Sequence, residues 1–177
     1  MNKPTLATVW LDGCSGCHMS FLDIDERILD LAKLADLVYS PLVDRKEFPD
    51  QVDITLVEGA VSSEGDLEKI KKIRAHTKVL ISLGDCAVTS NVPAMRNPFG
   101  VQAVLDRAYI DNVTIPHSAP SRVIPALLER CRPVHEVVPV DVFVPGCPPP
   151  ADVIFQAVAD LLAGRPPGQN GRRRFGA

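Results

Sequence analysis

Short apolar segments alternate with amphipathic segments along most of the 177 residues. Residues 6–11, 54–57 and 79–83 are apolar runs of strand length. Between them, the stretch from Ser20 to Leu34 repeats apolar residues every three or four positions, which is the period of an amphipathic helix, and the charged stretch from about Glu64 to His76 does the same. Strands that are apolar throughout are buried on both faces, so this alternation predicts a parallel sheet covered by helices on each side.

Further segments complete an α/β domain. They are a short strand at residues 37–39, a helix from Arg122 to Cys131, an extended segment from Val137 to Val144, and a helix from Ala151 to Ala163 that ends at Gly164. This count favours a flavodoxin-like, doubly wound parallel sheet. We expect one domain over residues 1–164, followed by a flexible Gly/Pro/Arg-rich tail over residues 165–177. The Arg172–Arg174 run of that tail either docks another subunit or stays in solvent.

Composition and charge exclude several classes of function. The 46% hydrophobic and 23% charged residues are typical of an ordinary globular protein. The 19 basic and 22 acidic side chains leave a net charge of −3, so we expect no nucleic-acid partner. No apolar run approaches the length of a membrane span, and residues 1–4 lead into the first strand without a signal peptide. We therefore expect a cytoplasmic protein with no membrane span.

Four of the five cysteines follow predicted strands. Cys14 and Cys17 come after the first strand, Cys86 follows residues 79–83, and Cys147 follows the extended segment that ends at Val144. Because the carboxyl ends of parallel strands lie at one edge of a sheet, we expect these four thiols to converge. Disulfides are rare in the cytosol, so metal or redox chemistry is the leading expectation.

The fifth cysteine, Cys131, has a different setting. It falls near the end of a predicted helix, with no glycine or proline turn around it. We predict that it is a small packed residue and not a ligand.

Several kinds of site use convergent thiols. Structural zinc usually takes two close pairs of ligands, whereas this set is one C-x-x-C pair and two single cysteines, so a [4Fe–4S] cluster is favoured over zinc. A thioredoxin-like dithiol also places C-x-x-C after a strand, but it leaves Cys86 and Cys147 unexplained unless they are merely buried small residues. Glycines beside the cysteines would let the backbone approach a cluster and offer N–H groups to its sulfurs. They are Gly13, Gly16, Gly84 and Gly146.

Four motifs, in this order, resemble the small subunit of [NiFe] hydrogenases. They are Cys14–Ser20 (CSGCHMS), Val57–Val61 (VEGAV), Gly84–Ala87 (GDCA) and Pro145–Pro149 (PGCPP). The chain is similar above all to the small subunits of cytoplasmic NAD-reducing (bidirectional) enzymes, as far as about Ala163. A related lineage, the quinone-linked cluster subunit of respiratory complex I, has a tandem Cys-Cys where this sequence has C-x-x-C.

The resemblance implies a flavodoxin-like domain that holds the proximal [4Fe–4S] cluster through Cys14, Cys17, Cys86 and Cys147. It places the Ni–Fe centre on a large hydrogenase subunit, and FMN and NAD on diaphorase subunits that carry flavin and further iron–sulfur clusters. This chain has no G-x-G-x-x-G motif, which agrees with an NAD site elsewhere. A chain with thiols for one cluster relays electrons between partners and cannot complete the reaction alone.

Two further residues are candidates for the same site. Glu58 follows the strand at residues 54–57, and the resemblance places it beside the cluster, facing the large subunit. It either belongs to a proton path or binds a cluster iron after oxidation; the alternative is a helix cap or a surface acid. His18 follows Cys17 and either bonds a cluster sulfur or the partner, or serves an ordinary capping role.

Overall fold

The computed structural model describes residues 3–115 and 118–167. Its central sheet has five parallel strands in the order β2-β1-β3-β5-β7. Their bounds are β1 Thr5–Trp10, β2 Asp36–Tyr39, β3 Val52–Glu58, β5 Thr77–Leu83 and β7 Val142–Val144. Taking the parallel strands alone, the order is that of a flavodoxin-like doubly wound sheet, which confirms the predicted fold class.

Helices cover both faces of this sheet. The helices of the described residues are α1 Gly16–Leu22, α2 Arg27–Leu34, α3 Glu64–Ala75, α4 Gly84–Thr89, α5 Val101–Asp106, which has no buried residue, and α6 Ala151–Leu162. Alternate residues of β1 point to opposite faces: Leu6 packs in the apolar core with α1, α2 and α6, and Val9 packs in the core with α3. Each continuous apolar strand therefore serves two cores. No helix in these described ranges is long and apolar enough to cross a membrane.

The prediction of one helix from Ser20 to Leu34 is wrong, because the structure has two helices there. α1 ends at Leu22 and α2 begins at Arg27, and Asp25 between them has a φ of 52°. Short acidic side chains tolerate this left-handed conformation. The buried Ile24 keeps the apolar spacing intact across the turn, so the sequence pattern conceals the break.

The predicted helix from Arg122 to Cys131 is also wrong. Residues Leu127–Arg132 form strand β6, which pairs antiparallel with β4 (Val61–Ser63) in a second, two-stranded sheet. Pro125 disfavours helical backbone at the residue before it, and Val123 has a φ of 70°. A helix therefore cannot run through this segment.

The C-terminal elements agree in part with the prediction. Only Val142–Val144 of the expected extended segment is a strand, and residues 137–141 are irregular. A turn of 3₁₀-helix, Val134–Glu136, precedes them. The last helix, α6, ends at Leu162 and is followed by Gly164 with a φ of 69°, as expected for a helix that stops at glycine. Of the predicted tail, Arg165 is described and pairs with Asp160, whereas Arg172–Arg174 lie outside the described residues.

Candidate metal centre

The loops that carry four cysteines leave the same edge of the central sheet. Cys14 lies between β1 and α1, and Cys17 lies in the first turn of α1. Cys86 lies in α4, directly after β5, and Cys147 follows β7. Cys17 and Cys86 are buried, whereas Cys14 and Cys147 are exposed. The convergence expected from the sequence thus appears as two inner and two outer thiols.

The electrostatics of the inner thiols show that the set is close together. Burial raises the pKa of the Cys17 thiol far above its ordinary value, and Glu58, Cys86, Cys14 and Cys147 raise it further. Burial also raises the pKa of Cys86 to about 11, with added contributions from Cys14 and Cys147. These thiols are neutral at pH 7 without a cation beside them, and a bound metal would reverse that preference by stabilising the thiolates.

Glycine is required where the loops approach these sulfurs. Gly84 has a φ of +81°, and a Cβ atom there would lie 2.1 Å from the Sγ of Cys17. Gly16 is also tight, since a Cβ atom would lie 3.2 Å from the Sγ of Cys14. Any side chain at position 84 would occupy the place of the Cys17 sulfur.

The other two predicted glycines lie close to the backbone of other residues. Gly146 has a φ of +142°, and a Cβ atom there would lie 2.6 Å from the Cα of Pro149. At Gly13 the nearest atoms to a Cβ would be backbone of Gly59 at 3.4 Å and the Oε1 of Glu58 at 3.8 Å. These two positions allow the close backbone approaches of the loops that carry Cys14 and Cys147.

Three hydrogen bonds hold the cysteine loops to one another. The backbone N–H of Gly146 donates to Oδ1 of Asp85 at 2.8 Å, and the N–H of Asp85 donates to the carbonyl of Gly146, also at 2.8 Å. Asp85 therefore fixes the Cys86 loop against the Cys147 loop. On the other side, the hydroxyl of Ser20 in α1 donates to the carbonyl of Pro149, which ties the C-x-x-C helix to the same loop.

N–H groups also reach three of the sulfurs, and one of them is the backbone N–H of Val92, which bonds the Cys86 thiol and opposes the rise of its pKa. The backbone N–H of Gly16 donates to the Sγ of Cys14 at 3.4 Å. The side-chain amide of Asn91, which follows α4, donates to the Sγ of Cys147 at 3.5 Å. The N–H of Gly146, expected at the sulfurs from the sequence, is bonded to Asp85 instead.

Glu58 and His18 form a buried pair behind Cys17. Glu58 is 2% exposed and His18 4%. The Oε2 of Glu58 accepts a hydrogen bond from the backbone N–H of His18 at 2.8 Å and contacts Nδ1 of the same imidazole. Glu58 thus caps the first turn of α1 from β3 and is not a surface acid. Nε2 of His18 has no hydrogen-bond partner among the residues that the structure describes.

Cys131 lies in the second sheet, on β6, and is 3% exposed. The side chain of Asn97 accepts from its N–H at 2.8 Å and donates to its carbonyl at 2.9 Å. Burial raises the pKa of its thiol to about 11, and Asp12 raises it further. Its surroundings are those of a packed strand residue, although the strand replaces the helix predicted for it.

Within residues 3–115 and 118–167, no group of three or more His, Cys, Asp and Glu side chains is arranged to hold a single metal ion. The four cysteines lie at one edge of the central sheet. All four donors are thiols, which suits an iron–sulfur cluster.

Sequence reasoning missed the roles of Asp85 and Asn91. Asp85 lies inside the GDCA motif, and a carboxylate directly before a strand-end cysteine was a signal for a loop contact. Asn91 carries no such signal, because its contact with Cys147 joins residues 56 positions apart.

Comparison with known proteins agrees with this arrangement. The family described as NADH ubiquinone oxidoreductase, 20 Kd subunit, matches residues 14–161, a range that includes all four converging cysteines. The NAD-reducing hydrogenase HoxS subunit delta of Cupriavidus necator is 44% identical over 169 residues, which cover 93% of this chain and 81% of that protein. One subunit of the F420-non-reducing hydrogenase of Methanothermobacter thermautotrophicus is 40% identical, but the match spans only 54% of its length and 92% of this chain.

A solved structure also matches almost the entire chain. An NAD⁺-reducing [NiFe]-hydrogenase in the H₂-reduced state contains a chain that superposes with a TM-score of 0.93 at 38% identity, covering 98% of this chain and 99% of that one. The chain is therefore an oxidoreductase subunit that belongs to the NADH ubiquinone oxidoreductase 20 Kd subunit family and, within it, to the small subunits of NAD-reducing [NiFe] hydrogenases.

Proposed function

We propose that this chain is the electron-transfer subunit of a cytoplasmic NAD-reducing [NiFe] hydrogenase and holds the proximal [4Fe–4S] cluster. The observation that carries the proposal is the convergence of four cysteines, from the three loops after β1, β5 and β7, at one edge of the sheet. The match to NAD-reducing hydrogenase subunits supports the same function.

The residues that would hold the cluster are Cys14, Cys17, Cys86 and Cys147. A cluster bound there would accept and pass on one electron at a time. Burial of the two inner thiols excludes water from one side of the site, and Gly84 leaves space for the sulfur of Cys17. Asp85 keeps two of the ligand loops at a fixed separation.

Partner subunits complete the proposed enzyme. Cys14 and Cys147 are exposed, so a cluster at this edge would face water unless another protein covers it. We assign that cover to the large [NiFe] hydrogenase subunit, with its Ni–Fe centre, and we assign FMN and NAD to diaphorase subunits that carry flavin and iron–sulfur clusters.

Two alternative functions fit less well. A thiol–disulfide oxidoreductase uses only the C-x-x-C pair, so it leaves unexplained why Cys86 and Cys147 lie close enough to act on the Cys17 thiol. A quinone-linked subunit of the complex I type shares the family, but the C-x-x-C spacing and the hydrogenase relatives favour the hydrogenase.

The role proposed for Glu58 is to belong to a proton path at the interface with the large subunit, or to bind a cluster iron when the cluster is oxidised. Its burial beside Cys17 supports a position close to the cluster. Its hydrogen bond to the N–H of His18 adds a capping function that both roles would retain.

Metal analysis of the purified native protein tests the proposal. We expect a brown hetero-oligomer with about four irons and four sulfides for the cysteine set of this chain. In the full complex, iron of the other subunits is counted separately by preparing the small and large subunits without the diaphorase module. A colourless, iron-free small subunit, or a monomer with full H₂-dependent NAD⁺ reduction, would contradict it.

A further inference from the structure

One side chain outside the cysteine motifs contacts a predicted ligand. The amide Nδ2 of Asn91 lies 3.5 Å from the Sγ of Cys147 and donates to it. Asn91 belongs to the loop after α4, the helix that contains Cys86, whereas Cys147 belongs to the loop after β7. The contact therefore joins the environments of two predicted ligands.

The backbone before this contact is shaped to produce it. Ser90 ends α4 in the left-handed conformation with a φ of 64°, and Asn91 follows with a φ of 23°. Asparagine is among the few residues other than glycine that tolerate positive φ. The reversal after α4 turns the amide of Asn91 towards Cys147.

We propose that Asn91 raises the reduction potential of the cluster by donating a hydrogen bond to the sulfur of Cys147. The inference rests on the proposed function, because it needs the cluster. On reduction the cluster gains one electron and its ligand sulfurs become more negative, while no bond is made or broken and no proton moves. A hydrogen bond to such a sulfur stabilises the reduced state more than the oxidised state.

The amide of Asn91 is the donor that a substitution can remove. The N–H of Gly16, which reaches Cys14, and the N–H of Val92, which reaches Cys86, belong to the backbone and stay in both variants. Asn91 is exposed in this chain, so its substitution leaves the apolar cores unchanged.

The test compares two substitutions that both tolerate positive φ, in the complete hydrogenase complex. Asn91→Gly removes the donor, and Asn91→Asp replaces it with a negative oxygen of the same shape. Iron content and a redox titration followed by electron paramagnetic resonance are measured for each. At a fixed potential, we expect the ratio of reduced to oxidised cluster to fall roughly two- to tenfold in Asn91→Gly, the effect of one hydrogen bond, and further in Asn91→Asp.

Asn112→Asp is the matched control. Asn112 is exposed and follows the helical segment Arg107–Asp111, outside the cysteine loops. The control introduces the same negative charge, so its ratio of reduced to oxidised cluster should equal that of the wild type.

Each outcome separates the inference from the proposed function. Full iron content with a wild-type ratio in both Asn91 variants would overturn the inference and leave the proposed function intact. A ratio that rises would also overturn it. Loss of iron in both variants would show that Asn91 serves assembly of the cluster and not its potential. A wild-type small subunit without iron would overturn the proposed function, and the inference with it.

Discussion

Two regions of the molecule each bury a cysteine but surround it differently. At the edge of the central sheet, Cys86 follows a strand end, near other thiols and close to Gly84. In the second sheet, Cys131 lies within β6, and the side chain of Asn97 bonds its backbone. Burial raises the pKa of both thiols to about 11. Burial and a raised pKa therefore do not distinguish the two thiols, and the proposal that Cys86 is a ligand depends on its position at a strand end near other thiols.

The largest expected effect comes from replacing each of these two cysteines by serine. Cys86→Ser should lose most of the cluster iron, because serine replaces one of four thiolate ligands. Cys131→Ser should keep the iron, since its side chain lies in another sheet. Iron analysis and the visible absorption of the purified variants measure both. Iron lost from Cys131→Ser but kept in Cys86→Ser would reverse the assignment.

The second comparison uses two glycines with positive φ. Gly84→Ala should lose much of its iron, because the new Cβ would lie 2.1 Å from the Sγ of Cys17. Gly100 has a similar φ of +78°, but a Cβ there would meet nothing within 4 Å. Gly100→Ala should therefore keep its iron, although a φ of 78° with a ψ of 162° strains the backbone of alanine by about 1–3 kcal/mol. Equal iron content in the two variants, measured at equal yields of folded protein, would refute the claim that a side chain at position 84 displaces the sulfur of Cys17.

The third comparison uses Asp85 and Asn97, whose side chains each form hydrogen bonds to the backbone of a distant segment. Asp85→Ala leaves the N–H of Gly146 without its acceptor and should cost about 1–3 kcal/mol of stability. It should also lower iron retention, because the Cys86 and Cys147 loops can separate. Asp85→Asn keeps an oxygen acceptor and should restore retention.

Asn97→Ala is the control for this effect. It removes both hydrogen bonds to the backbone of Cys131, so it should lower the melting temperature without changing the iron content. Iron loss in Asn97→Ala as great as that in Asp85→Ala would show that general instability, and not loop separation, releases the cluster.

The smallest structural effect is expected at Glu58. Glu58→Gln keeps an oxygen that can accept from the N–H of His18, so the variant should fold and keep its iron. It should slow H₂ turnover about tenfold or more if the acid moves protons, or alter the oxidised-cluster spectrum if it binds iron. Wild-type turnover, pH dependence and oxidised spectrum together would leave Glu58 as a capping residue only.

The sequence predicted the sheet and the cysteine edge for related reasons. Continuous apolar strands report burial on two faces, and parallel strands place their carboxyl ends together, so Cys14, Cys86 and Cys147 could be grouped without knowing any distance. Local patterns were less informative where the apolar spacing continued through a turn, as at Ile24, or where helix-forming residues lie in a strand paired with a distant one, as in β6.

Contacts between loops could not be predicted from one sequence. Asp85 bonds Gly146 across 61 positions, and Glu58 bonds His18 across 40. Both contacts depend on the order of strands in the sheet, which brings these loops together only after folding. The spacing of residues along the chain does not predict these two contacts.

Diffraction from crystals of the hydrogenase complex, collected at the iron absorption edge, tests the central claim most directly. Anomalous difference density locates the irons without reference to any assumed ligand. The account predicts one four-iron cluster in this chain, bounded by the Sγ atoms of Cys14, Cys17, Cys86 and Cys147, with no iron near Cys131. Iron density at Cys131, a single ion in place of a cluster, or no iron at the four-cysteine edge would contradict it.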